Sequence, residues 1–141
     1  MANELSTREI VDRYNAAIIH KSADALAAIY AEDATHAFPF GHSEAATLRG
    51  REAIRTFYTG AWATAPAIVR GIGNVVLHEG ADGRTVTVEE DIELTNTTTG
   101  TDFVASTVLV MEIEAGQIAQ VRDYTDNLTI ARGLGQIPVV A

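Results

Sequence analysis

Apolar residues in the first part of the chain recur with the period of a helix. Ile10, Val11, Tyr14, Ala17 and Ile18 mark one face, the spacing that stacks side chains of successive turns in a single stripe. Ser6-Thr7-Arg8-Glu9 forms a capping box ahead of them, with Leu5 and Ile10 placed to staple across it. A first helix is predicted from Thr7 to His20. Ser22 is the next N-cap, and "ADALAAIYAEDA" predicts a second helix with Leu26, Ile29 and Tyr30 on one face. "THAFPF" alternates instead, with His36, Phe38 and Phe40 on one side. Pro39 restricts it to an edge strand or a strand end. "GHSEAATLRG" reads as a loop. "REAIRTFYTGAWATA" returns to helical spacing at Ile54, Phe57, Tyr58, Ala61 and Trp62, with Pro66 past its end.

Beyond Pro66 the period becomes two. "AIVRGIGNVVLHEG", "RTVTVEEDIELT", "DFVASTVLVMEIE" and "QIAQVRDYTDN" read as strands. The breaks between them, "GADGR", "TNTTTG" and "EAGQ", carry turn chemistry. The tail, residues 129–141, is apolar enough to pack, but its pattern points to no particular place. Helices first and a meander of long antiparallel strands afterwards predict an α+β domain spanning residues 1–141, with the helices covering one face of a curved sheet. Such curling leaves a concave pocket, the usual home of a small ligand.

Within that pattern one residue is out of place. Thr85, Thr87, Glu89, Asp91 and Glu93 take one face of their strand, and Val86, Val88, Ile92 and Leu94 take the other, yet Glu90 falls in the apolar row. A bulge or a wet rim would explain it. So would a carboxylate aimed into a cavity, where burial raises its pKa toward the range of a general acid or base. Asp123 poses the same choice. It shares a small, apolar face with Ala119, Val121 and Thr125, or else it pairs with Arg122 in solvent. His36 is either a hydrogen-bonded core residue or the one cavity group with an unperturbed pKa near about 6.5. Tyr14, Tyr30 and Tyr58 sit on the apolar faces of three predicted helices, with Trp62 one turn beyond Tyr58. Each buried hydroxyl needs a partner, and a chain of them can present one polarised O–H to a ligand. His20, His42 and His78 are expected in solvent.

Composition narrows the function. The chain has 141 residues, a net charge of −9 and only 10 Lys and Arg, which argues against nucleic-acid binding. It has no cysteine, so thiol nucleophiles and thiolate metal sites are excluded. No His-Glu-x-x-His or comparable spacing points to a metal, and no cofactor is expected. No apolar run reaches the roughly eighteen residues of a membrane span, and the N-terminus has no leader pattern; a cytoplasmic location is the expectation. Gly-x-Gly-x-x-Gly, P-loop and Gly-x-Ser-x-Gly motifs are missing from the sequence.

"VDRYNAAIIHKSADALAAIYAEDATHAFPFG", "GREAIRTFYTGAW" and "GQIAQVRDYTDN" resemble the SnoaL-like and ketosteroid-isomerase-like branch of the nuclear transport factor 2-like superfamily. The resemblance implies a conical roll, with three N-terminal helices on the concave face of a strongly curved, mostly antiparallel sheet, a deep pocket, and a homodimer packed through the sheet's outer face. In the steroid isomerases Tyr14 matches the oxyanion donor, and Tyr30 and Tyr58 match its supporting tyrosines. The general base would fall at Phe38 and the second acid near Thr107 or Val108, so steroid isomerisation by that route is not expected. In limonene-epoxide-hydrolase-like proteins the aspartate of "VRDYTD" matches Asp123, and Glu90 can take the place of a second acid, but the matching arginine is missing.

These readings combine into one expectation. Asp123 and Glu90 reach into a shared pocket from neighbouring strands, facing Tyr14 and His36 on the other wall. Tyr30, Phe38, Phe40, Tyr58, Trp62, Val88 and Val121 line it. The site would perform acid–base chemistry on a hydrophobic cyclic or polyketide-like substrate, as a cyclase or isomerase. The alternatives are an epoxide hydrolase and a non-catalytic ligand-binding or dimerisation module.

Overall fold

The computed structural model describes residues 4–41 and 47–137. Helix α1, Thr7–His20, opens with the full capping box: Ser6 accepts from the Glu9 N–H, and Glu9 reaches back to the Ser6 N–H. It ends on Lys21 in the left-handed conformation. Helix α2 is one short piece, Ala23–Ala27, capped by Ser22. Strand β1 runs Tyr30–Ala37 and β2 Thr47–Arg49. Helix α3 covers Arg51–Thr64. Four long strands follow: β3 Ala67–Glu79, β4 Thr85–Asn96, β5 Asp102–Glu114 and β6 Gln117–Thr125. A last helix, α4, spans Asn127–Gly133.

The six strands form one curved sheet in the order β2-β1-β6-β5-β4-β3, not closed into a barrel. Every pairing is antiparallel except β1 with β6. The inward rows of the sheet, Val86, Val88, Leu109, Met111, Ile118 and Val121, pack against Ile10, Val11, Tyr14 and Ala17 of α1, Leu26 of α2, and Ile54 and Tyr58 of α3. Full burial of one such side chain contributes about 1.5–3 kcal/mol, so this layer holds the helices on the concave face. No helix among the described residues is long and apolar enough to cross a membrane.

Three expectations are corrected, and the place of the tail is found. The second helix stops at Ala27, and Tyr30 opens β1 instead of ending a helix. Its alanine-rich sequence favours helix locally, but β6 needs a parallel neighbour, and that pairing overrides propensity. The loop after Gly41 contains β2, which pairs with Thr35–Ala37; His42 lies outside the described residues. On β6, Ile118 and not Ala119 faces inward, because the register against β5 shifts between Glu112 and Ile113. The tail supplies α4, whose Ile130 and Leu134 pack with Ala67, Leu94, Phe103 and Ala105 at one end of the sheet.

The β5–β6 hairpin turns on Ala115 (φ 51°) and Gly116 (φ 72°), the left-handed pair of a two-residue type I′ loop. A Cβ at Gly116 would come within 2.9 Å of Glu4 Cβ and 3.1 Å of the Leu5 nitrogen. Gly116→Ala should therefore lower the unfolding free energy measured in urea, by at least the ~1–2 kcal/mol of a left-handed non-glycine residue. Ala115→Gly, which relieves that same strain without a clash, should not.

Candidate active site

The register between β4 and β5 runs without a break from Thr85↔Glu112 to Thr95↔Asp102. No bulge on that ladder re-aims Glu90, so it stays in the inward row and is only 4% exposed. Asn15 of α1 donates its Nδ2–H to Glu90 Oε2 at 2.8 Å. Oε1 has no hydrogen-bond partner among the described residues, and Glu90 lines a cavity of about 330 Å³. Burial pushes the Glu90 pKa up; the Asn15 bond pulls it back, and the charge of Asp123 adds a smaller upward push.

Asp123 looks into the same cavity from β6. It stands on neither neighbouring strand of Glu90: β5 lies between β4 and β6, which puts the two backbones roughly 10 Å apart. Glu90 is level with Thr107 on β5, and Thr107 with Thr125 on β6, so Asp123 sits two residues further along. This corrects the expectation of adjacent strands. It also explains why burial, not carboxylate–carboxylate repulsion, leads the causes at Glu90.

A line of hydrogen bonds fixes Asp123. His36 Nε2 lies 3.2 Å from Asp123 Oδ2, and the Tyr30 hydroxyl lies 2.8 Å from His36 Nδ1. With the proton on Nε2, the ring donates to Asp123 and accepts from Tyr30, so each group is satisfied. Thr125 donates its hydroxyl to Asp123 Oδ1, and Thr107 Oγ1 sits 2.8 Å from Thr125 Oγ1. His36 is fully buried behind Asp123 on the adjoining strand and does not line the cavity. The expectation that it stands on the opposite wall is corrected: β1 pairs directly with β6, so His36 is a neighbour of Val121 in the sheet.

The helix wall is aromatic. Tyr14 from α1, Tyr58 and Trp62 from α3, and Phe38 past the end of β1 all line the cavity. Tyr58 and Trp62 rings pack at 4.9 Å, and Phe38 packs on the His36 ring at 4.6 Å. The Tyr14 hydroxyl lies near those of Tyr58 and Tyr30. Burial, first among the causes, raises all three tyrosine pKa values, so they remain O–H donors. Asn127 and Ile130 of α4 complete the rim.

Several expected lining residues are elsewhere. Val88 and Val121 are fully buried in the core beneath the cavity, and Tyr30 is buried behind His36. Phe40 is 65% exposed and packs edge-on against Tyr124, since the chain turns at Phe38–Gly41 and ends the alternation. Asn15 carried no periodic signal that would have singled it out. The one hint was an amide in the middle of a helix, where such residues are poor formers. Among the described residues, no group of three or more His, Asp or Glu is arranged to hold a metal ion.

The model of the SnoaL-like domain matches residues 11–121. The chain belongs to the SnoaL-like family. Its fold is the ketosteroid-isomerase-like one of the nuclear transport factor 2-like superfamily. A candidate isomerase from Bacillus subtilis superposes with a TM-score of 0.82 at 21% identity, covering 92% of this SnoaL-like chain and 93% of that one. A candidate polyketide cyclase from Pseudomonas putida gives 0.75 at 20% identity, with 92% and 98% covered. SalBIII, an epoxide hydrolase/cyclase-like enzyme in pyran ring formation in the polyether salinomycin, gives 0.67 at 26% identity, with 86% and 92% covered. No curated protein matches the sequence.

Because burial raises the folded-state pKa of Glu90, the folded chain binds more protons than the unfolded one between the two values. Stability then falls as pH rises through that window, and the penalty is complete above it. Glu90→Gln keeps an acceptor for Asn15 and removes the charge. The variant should be more stable than the parent in urea at pH ~7 and no more stable at pH ~4, where the unfolded-state glutamate is itself largely protonated.

Proposed function

We propose that this SnoaL-like protein is an acid–base enzyme of the cyclase or isomerase type, acting on a hydrophobic cyclic or polyketide-like substrate. The observation that carries the reading is the pairing, in one aromatic-walled cavity, of a buried carboxyl with a free oxygen and a second carboxyl held by a hydrogen-bond line. Asp123 takes a proton from carbon next to a substrate carbonyl. The electron pair moves toward the carbonyl oxygen, where the Tyr14 hydroxyl donates to the developing charge. In ring closure the resulting carbon nucleophile attacks a second carbonyl, and Glu90 Oε1–H protonates the new alkoxide. In isomerisation Glu90 returns the proton to a different carbon. Either way Asp123 ends protonated and Glu90 ionised, and solvent resets both.

His36 and Tyr30 act through Asp123. They fix its rotamer and hold the carboxylate in one orientation, as pre-organisation requires. Phe38, Tyr58 and Trp62 offer ring faces to the apolar body of the substrate.

Epoxide opening is the second reading, favoured by the likeness to SalBIII. There Glu90 would protonate the epoxide oxygen, while Asp123 removes a proton from an attacking hydroxyl or water. No arginine lines the cavity among the described residues, so the acid must serve without a cationic partner.

The test is turnover of three probes: an unconjugated cyclic enone, a linear β-keto ester able to close by aldol addition, and a cyclohexene-type epoxide. Asp123→Asn and Glu90→Gln should each lower kcat by about 10²–10⁴-fold on whichever probe reacts. Incorporation of labelled solvent oxygen into a diol marks hydrolysis. Unchanged turnover in both variants would remove the acid–base assignment.

A further inference from the structure

Asn15 is a residue whose cost exceeds its structural use. It sits in the interior of α1, where an amide forms helix less well than alanine. Its Oδ1 is buried with no hydrogen-bond partner among the described residues, which is unfavourable for any buried acceptor. Its one side-chain bond crosses 75 positions of sequence to Glu90 Oε2, at 2.8 Å.

That bond breaks the symmetry of the carboxyl. Oε2 is occupied as an acceptor, on the side facing α1. Oε1 is the oxygen with no partner among the described residues, in a residue that lines the cavity. A carboxylic acid carries one proton, and an oxygen already receiving an N–H is the poorer place for it. Asn15 is also adjacent in sequence to Tyr14, which lines the same cavity, so one rigid helix holds the oxyanion donor and the partner of the acid.

We propose that Asn15 is a positioning residue that directs the transferable proton of Glu90 onto Oε1, toward the ligand. The proposal rests on the reading of Glu90 as the acid. The amide keeps the carboxyl plane from rotating and sets a limit on how weak the acid becomes. Without it, burial and the charge of Asp123 would act on Glu90 unopposed, and the proton would be shared between two equivalent oxygens.

The experiment is a carbon-13 NMR titration of the Glu90 side-chain carboxyl in the full, ligand-free chain, for the parent, Asn15→Leu and Asn15→Ala. The alanine variant favours the helix and adds no charge, and it guards against a leucine variant that does not fold. Losing the N–H donor removes a bond that favours the charged form, so Glu90 should become a weaker acid by about tenfold in both variants. On a probe that turns over, the high-pH limb of kcat should move to higher pH, with kcat lowered and KM unchanged. Folded variants in which Glu90 titrates as in the parent would overturn the proposal, even if their Tm is lower. The titration needs no substrate. If Glu90→Gln retains turnover, the acid assignment fails; if Glu90→Gln is inactive while the Asn15 variants titrate normally, only the role of Asn15 fails.

Discussion

A carboxylate in the inward row of an unbroken strand is expensive, and that expense organises this molecule. The β4–β5 ladder leaves Glu90 no outward option, because slipping the strand by one residue would expose Val86, Val88, Ile92 and Leu94 together. The chain therefore keeps an ionisable group where apolar surface would be more stable. It meets the cost with one amide from α1 and with a pKa raised by burial. A cavity beside the group and an aromatic wall opposite it follow from the same curvature that presses the helices onto the sheet.

Asp123 is handled differently. Where Glu90 has one partner and a free oxygen, Asp123 is held at both oxygens, by His36 and by Thr125. Behind His36 stands Tyr30, so its orientation is set by three residues in line, two of them on β1. The parallel pairing of β1 with β6 makes this possible. It sets His36 beside Val121, close enough to reach the side chain two residues on. The two carboxyls thus share a cavity without sharing an environment, the arrangement that separates an acid from a base.

Much of the fold was legible in the sequence. The capping box, the apolar stripe of α1, the i, i+4 pattern of α3 and the alternation of the four long strands each state their element locally, and each is found within a residue or two of its expected place. Alternation offered an inward Glu90 and Asp123 as one of two readings for each; the unbroken β4–β5 register and the shared cavity decide for it. What was not legible depends on partners distant in sequence. Tyr30 reads as helix until β6 claims its backbone. Ile118 displaces Ala119 only because β5 and β6 differ in length across a bulge. Phe40 follows the alternation on paper, but the strand has already ended. Asn15 is meaningful only once Glu90 is known to lie opposite it.

The intervening strand has a consequence for recognition. Glu90 and Asp123 are separated by β5, and a hydrogen-bonded ladder on each side keeps that separation constant. The sheet behaves as a ruler with graduations of one strand width, and the two carboxyls are fastened to marks that cannot slide. Divergence toward new substrates is then confined to the opposite side. Exchanges at Trp62, Ala61 or Ile130 can enlarge or reshape the chamber, while the span between the two carboxyls stays fixed.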